Sequence, residues 1–238
     1  MMKKRLGILG GMGPMATADL YRKVVELTDA DNDYGHIRVI IDSNTAIPDR
    51  TAAILSGGAD PLPEMLSAAN NLVSCGAECI IMPCNTAHYF LPELQAQISV
   101  PILDMTKIAA QKSAELYPGK TAAILATRGT LATGVYARAL EDCGVEYIVP
   151  DEKEQSTLMY LIYEVVKASR PLSPEKPLWS SLLDGLREKG ADYFLLACTE
   201  LPILSGYLAI PGPFVDCTEE LAKAAITYCG YEQKEGCW

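Results

Sequence analysis

Two cysteines stand where a proton-transfer group would be placed. Cys84 lies in Ile80-Ile81-Met82-Pro83-Cys84-Asn85-Thr86-Ala87-His88, and Cys198 in Leu195-Leu196-Ala197-Cys198-Thr199-Glu200. Each ends a short apolar run that reads as a buried strand, and each precedes a helix start, Asn85-Thr86 or Thr199-Glu200. Open parallel sheets bind ligands beyond the carboxyl ends of their strands. A helix N-terminus favours thiolate over thiol and presents free backbone N–H groups to an anion. A lone cysteine at a strand end is more often a packing residue, because small buried Cys is common in cores. Two at equivalent positions reverse that preference. If they face one another, a carbon bound between them has a thiol on each side, the arrangement that takes a proton from one face and returns one to the other, inverting a stereocentre.

Other groups have two readings each. Arg50, in Ile47-Pro48-Asp49-Arg50-Thr51, opens a short helix, where a cation opposes the helix dipole; it serves a nearby anion or is an exposed partner of Asp49. Lys167 ends an apolar helical stripe and reads as a solvated C-terminal cation. His88, four residues after Cys84, faces it on a helix or is a capping or packing group. Glu200 orients Thr199, helps a proton transfer or is a helix N-terminal carboxylate. Gly11-Met12-Gly13-Pro14-Met15-Ala16 fits G-x-G-x-x-A after a strand, with Asp42 placed as a ribose ligand would be. That dinucleotide reading leaves the paired cysteines unexplained. The plainer reading is a tight strand-to-helix turn whose backbone amides help form an anion pocket.

The elements that must position these groups alternate along the chain. Apolar runs at 5–9, 37–41, 78–82, 101–103, 121–125, 147–149, 193–197 and 214–215 read as strands, mostly too uniformly apolar for a wet face, which predicts parallel sheets covered on both sides. Between them lie helices. Asp60-Pro61 opens one and Gly76 closes it. Leu158, Leu161, Ile162, Val165 and Val166 form one helical stripe behind the acidic start Asp151-Glu152.

The chain also repeats itself. Gly13, Ala16 and Thr17 align with Gly129, Ala132 and Thr133 at an offset of 116, and YRKVVE from Tyr21 aligns with YARALE from Tyr136 at 115. CGAECIIMPCNTA from Cys75 aligns with KGADYFLLACTEL from Lys189 at 114, placing Cys84 on Cys198, and PILDMT from Pro101 aligns with PFVDCT from Pro213 at 112. Solenoid repeats are much shorter, so this is a duplicated domain. The fold class read from these patterns is α/β, two pseudo-symmetric units with mostly parallel sheets and an active site in the cleft between them. Residues 1–105 and 210–238 form the first domain, and 106–209 the second.

Composition narrows the function. The 238 residues are 49% hydrophobic and 21% charged, as in an ordinary globular chain. A formal charge of −10 argues against nucleic acid or an anionic membrane as partner. Eight Cys show neither disulfide-scaffold nor zinc-site spacing, so no metal is expected. Cys75, Cys79, Cys143, Cys217, Cys229 and Cys237 read as packing residues or, at the tail, as exposed ones. The apolar stretch Leu6 to Leu9 is too short for a signal peptide, and no run spans a bilayer; a cytoplasmic protein with reduced thiols is expected.

Over nearly its whole length the sequence resembles the cofactor-independent aspartate/glutamate racemase superfamily, and within it the aspartate racemases. The segments that carry the resemblance are LGILGGMGPMATADLY at Leu6, IPDRTAAIL at Ile47, IIMPCNTAHYF at Ile80, TGVY at Thr133, IYEVVKA at Ile162 and ACTELP at Ala197. The resemblance implies two α/β domains, a homodimer, an acidic amino acid as substrate, and neither pyridoxal phosphate nor metal. It implies that Cys84 and Cys198 are the acid/base thiols and that Arg50 and Lys167 anchor substrate carboxylates, against the solvated reading of Lys167. It further implies that Met12, Gly13, Thr51, Asn85, Thr86, Thr127, Thr130 and Thr199 line the pocket, with Glu200 beside them. Ala197 stands where many relatives have Gly. Typical glutamate racemases carry a serine-containing turn in place of GGMGP and a His where this chain has Glu200, so the expectation moves from glutamate toward aspartate. The competing expectations are a one-thiol relative such as a maleate isomerase or decarboxylase, a catalytically silent dicarboxylate-binding protein, and a redox switch that pairs Cys84 with Cys198.

Overall fold

The structure, a computed structural model, describes residues 3–234 and divides into two compact units. Unit 1 runs to Met105 and resumes at Thr218; unit 2 is Thr106–Cys217. Unit 1 is built from β1 (Leu6–Gly10), α1 (Pro14–Leu27), β2 (Val39–Ser43), α2 (Arg50–Ser56), α3 (Leu62–Ser74), β3 (Cys79–Ile81), a 3-10 helix at Thr86–Phe90 and α4 (Leu91–Gln95). Helix α5 (Met105–Leu116) carries the chain into unit 2. There follow β4 (Ala122–Ala126), α6 (Arg128–Thr133), α7 (Val135–Asp142), β5 (Tyr147–Ile148), α8 (Glu152–Met159), a π-helix at Tyr160–Val166, α9 (Lys176–Glu188), β6 (Tyr193–Ala197), α10 (Glu200–Tyr207) and β7 (Phe214–Asp216). Helix α11 (Cys217–Tyr228) returns to unit 1. Cys237 lies outside the described residues.

The pairings among these seven strands are all parallel, in the orders β2-β1-β3 and β5-β4-β6-β7. The sheet of unit 1 also gains a strand-like edge: Ile80 forms a single parallel bridge with Ile102 and donates its N–H to the Pro101 carbonyl at 2.9 Å. In unit 2 the Phe194 N–H donates to the Pro213 carbonyl at 3.2 Å. Ile80 and Phe194 correspond at the offset of 114, and Pro101 and Pro213 at 112. The duplication therefore recurs at the level of one backbone hydrogen bond.

Strands β1, β4 and β6 are buried throughout, as parallel strands covered on both faces must be. Strand β2 departs from that pattern. It starts at Val39 rather than Ile37, in register with Leu6, and leaves Ile41 41% exposed because it is an edge strand. The expected return to the first domain at about Ile210 is also early. Strand β7 pairs with β6 (Phe194 with Phe214, Leu195 with Val215, Leu196 with Asp216), which keeps the chain in unit 2 to Cys217. The strand closes its own sheet; the helix after it crosses back.

The helix signals act with small shifts. Asp60 accepts the Leu62 N–H at 2.9 Å, so α3 begins one residue after Pro61, and Gly76 ends the segment with φ +89° and its N–H on the Val73 carbonyl at 2.8 Å. Asp151 caps α8 in a capping box with Glu154. The apolar stripe is buried at all five positions, but all of it beyond Leu158 is π-helical. Among the described residues no helix is long and apolar enough to cross a membrane.

Candidate active site

In unit 1 the site residues gather at the carboxyl ends of the neighbouring strands β1 and β3. The turn after β1 needs glycine at Gly11, whose φ is +90° and where a Cβ would stand 2.3 Å from the Asn44 backbone. Thr17 locks that turn: its Oγ1 accepts the Gly11 N–H and donates to the Gly13 carbonyl, both at 3.0 Å. Gly13 then caps α1, with Pro14 opening the helix.

Arg50 is the first residue of α2 and only 7% exposed, so the reading of an exposed arginine does not hold. The Asp49 carboxylate caps the helix by accepting the Ala52 N–H at 2.7 Å. The guanidinium donates to the Met12 carbonyl at 2.8 Å and the Pro48 carbonyl at 2.9 Å, which ties the start of α2 to the glycine turn. Met12 and Cys84 share one apolar cluster, and α2 packs against the 3-10 helix that follows Cys84. Cys84, Asn85 and Thr86 are all buried, and Thr51 is half-buried. His88 reaches the backbone of Cys84 rather than its thiol: Nδ1 meets the Cys84 carbonyl at 2.9 Å, and Nε2 accepts the Met105 N–H at 3.1 Å. Burial lowers the pKa of this imidazole, partly opposed by Asp104.

Unit 2 repeats the plan with different chemistry. Thr127 caps α6, its Oγ1 accepting the Thr130 N–H at 3.2 Å and meeting Thr130 Oγ1 at 3.0 Å. Cys198 follows β6, and its thiol donates to Glu200 Oε2 at 3.0 Å; the Thr199 hydroxyl donates to the same oxygen at 3.3 Å. All three residues are buried. Burial first, then the neighbouring Glu200 carboxylate, hold the Cys198 thiol well above the ordinary range, while Lys167 pulls it down. Cys198 therefore rests as a thiol.

Lys167 is not the solvated cation that unaided sequence physics suggested. Its Nζ lies 3.8 Å from Glu200 Oε1 and 4.5 Å from the centre of the Tyr163 ring, with the side chain 26% exposed. The cause is the π-helix. The Lys167 N–H bonds the Ile162 carbonyl five residues back, so Tyr163 lies one wide turn beneath the lysine, and α10 packs against this segment.

Thus Met12, Gly13, Arg50, Thr51, Cys84, Asn85 and Thr86 belong to unit 1, and Thr127, Thr130, Lys167, Cys198, Thr199 and Glu200 to unit 2. Asp42, weighed as a ribose ligand, accepts from Asn71 Nδ2 at 3.0 Å instead. Three supporting residues escaped sequence reading. Gln155 is a buried amide that donates to the Ala126 carbonyl at the end of β4, at 2.9 Å. Tyr163 is the aromatic under Lys167. Thr17 had a signal in the repeat, which aligns it with Thr133; that residue donates to the Thr130 carbonyl at 2.7 Å.

Fold and turns define a duplicated parallel α/β protein that carries one buried thiol at the end of an equivalent strand in each unit. A family model described as Asp/Glu/Hydantoin racemase matches residues 9–225, and the chain belongs to this racemase family, a class of isomerases. The chain is similar in structure to Picrophilus torridus aspartate racemase, with a TM-score of 0.85 and 31% identity over 98% of this chain and 96% of that one. In sequence it is 28% identical to the broad specificity amino-acid racemase RacX of Bacillus subtilis (strain 168), over 95% of this chain and 99% of that one. The glutamate racemase of Deinococcus radiodurans is 30% identical over 145 residues, 58% of this chain and 47% of its own length.

Proposed function

We propose that the protein interconverts L- and D-aspartate without pyridoxal phosphate, by a two-thiol proton transfer at the α-carbon. The observation that carries this reading is the buried thiol beyond the equivalent strands β3 and β6, Cys84 in one unit and Cys198 in the other. The proton inventory balances with one thiolate and one thiol. The thiolate takes the α-proton and becomes a thiol, the opposite thiol gives its proton to the other face and becomes a thiolate, and the reverse enantiomer exchanges the roles. Cys198, at rest a thiol, begins as the donor. When it acts as base, the Glu200 carboxylate at 3.0 Å is placed to accept its proton.

The chemical difficulty is a carbanion next to an ionised carboxylate. Backbone N–H groups at the two helix starts and the cations Arg50 and Lys167 supply the stabilising charge that a pyridoxal ring otherwise would. They also give a chain of net charge −10 a locally positive place for a dianion. Met12, Gly13, Thr51, Asn85, Thr86, Thr127, Thr130 and Thr199 complete the pocket, and the working enzyme is a homodimer.

Aspartate is favoured by 31% identity over nearly the whole of both chains to a protein named an aspartate racemase, whereas a solved glutamate racemase that covers 95% of this chain is only 16% identical and shares the fold alone. A broader substrate range is the second reading, on the name of the B. subtilis relative. A panel of L-amino acids incubated in deuterated water, scored for D-product and for label at Cα together, tests both. D-aspartate carrying solvent deuterium is the expected result. Deuterium exchange without D-product points to a one-base relative, and binding without exchange to a silent amino-acid-binding protein.

A further inference from the structure

We infer that His88 is the positioning residue of Cys84, acting as a neutral imidazole locked in its Nδ1–H form that holds the backbone of the reactive turn. The inference rests on the reading of Cys84 as an acid/base thiol and adds what fixes that thiol in place.

The argument is one of donors and acceptors. A backbone N–H can only donate, so the 3.1 Å contact from Met105 obliges Nε2 to accept and to carry no proton. A carbonyl oxygen can only accept, so the 2.9 Å contact at Cys84 obliges Nδ1 to donate. Both bonds are satisfied only by the neutral ring with its proton on Nδ1. A second proton on Nε2 would point at the Met105 N–H and break that bond. Burial is the largest influence on the imidazole and lowers its pKa, favouring a neutral ring against the opposing pull of Asp104 and of the Cys84 and Leu103 backbones; the two contacts above select the tautomer.

The two contacts join points distant in sequence. Cys84 sits in the turn just beyond β3, while Met105 starts α5 and is the residue at which the chain leaves unit 1. Immediately after the reactive turn the chain is a 3-10 helix, Thr86–Phe90, whose hydrogen bonds are poorer than those of an α-helix. At the corresponding place in unit 2 the offset of 114 puts Pro202, inside α-helix α10, where no imidazole is needed. His88 thus replaces by two side-chain bonds the rigidity that a regular helix gives Cys198.

A misplacement of about 1 Å at a reacting group can cost on the order of 10²-fold in rate. His88→Phe keeps a ring and removes both bonds; we expect kcat to fall about 10²-fold with KM within a factor of about two. His88→Gln supplies one donor and one acceptor on a single amide and should recover most of the loss. Because the chain has only two histidines, 15N NMR of the intact protein can assign His88 directly. The expected spectrum is the Nδ1–H tautomer, unchanged from about pH 8 to below the ordinary histidine range near 6.5. This arm stands even if His88→Phe does not fold. An Nε2–H tautomer, a titration near neutral pH, an unchanged kcat in a folded His88→Phe protein or no recovery in His88→Gln overturns the inference. Full activity of Cys84→Ser would instead overturn the two-thiol reading, whatever the imidazole does.

Discussion

The turns after β3 and β6 descend from one repeat, occupy one position in their sheets, and hold their cysteines by opposite means. Cys84 lies in the turn before a 3-10 helix, with its backbone pinned by a neutral histidine. Cys198 lies at an α-helical start with a buried carboxylate 3.0 Å from its sulfur and a lysine behind that carboxylate. One turn is secured through its main chain, the other tuned through its side chain. Duplication preserves where the chemistry sits, because strand ends are set by the sheet. The electrostatics of each thiol diverge freely, because single side chains such as His88 and Glu200 can change without moving a strand.

The largest effect that can break this comparison is loss of either sulfur. Cys84→Ser and Cys198→Ser should each lower racemisation by about 10³-fold, within the range attributed to general acid–base groups. A chiral assay from both enantiomers checks this, and near-normal turnover in either variant means that one thiol suffices. Next, Glu200→Gln should lower the Cys198 pKa, since the charge that helps raise it is gone. Its alkylation by iodoacetamide should then reach half-maximal rate at a lower pH, with kcat reduced about tenfold or more. An unshifted alkylation profile would separate the carboxylate from the thiol. Lys167→Met removes the group that pulls the thiol down, so the same profile should move to higher pH, and KM for aspartate should rise.

The smallest effects are on stability, and they have opposite pH dependence in the two turns. The His88 pKa is lowered in the folded state, so its contribution is present above the ordinary histidine value and lost as pH falls through the folded one. The Cys198 pKa is raised, so its contribution is present below the ordinary thiol value and lost as pH rises through the folded one. Thermal melts at mildly acidic pH should therefore flatten in His88→Gln, and melts at alkaline pH should flatten in Cys198→Ser. Identical slopes in variant and parent would show that the group does not govern that limb.

Much of this was legible beforehand, and the reasons are local. Buried parallel strands announce themselves as uniform apolar runs, so β1, β4 and β6 were found within a residue. Edge strand β2 was misplaced because its pairing with β1, rather than its own apolarity, sets its start. The domain return was placed early because a match between PFVDCT and PILDMT shows equivalence without showing which sheet each strand joins. Arg50 and Lys167 could not be settled by helix-dipole reasoning, since what decides them is a carbonyl 38 residues away in one case and a π-turn in the other.

By itself the sequence determined a duplicated parallel α/β chain with a cysteine after the same strand in each half. Strand periodicity and a repeated pattern are written residue by residue and need no distant partner. Only tertiary structure decided how each thiol is governed. That His88 meets a carbonyl rather than a sulfur, and that Glu200 accepts from Cys198 as well as from Thr199, depends on distances of about 3 Å between groups, some of them brought together from different elements. Hydrogen bonds and charges act over that range, and spacing along the chain does not encode it.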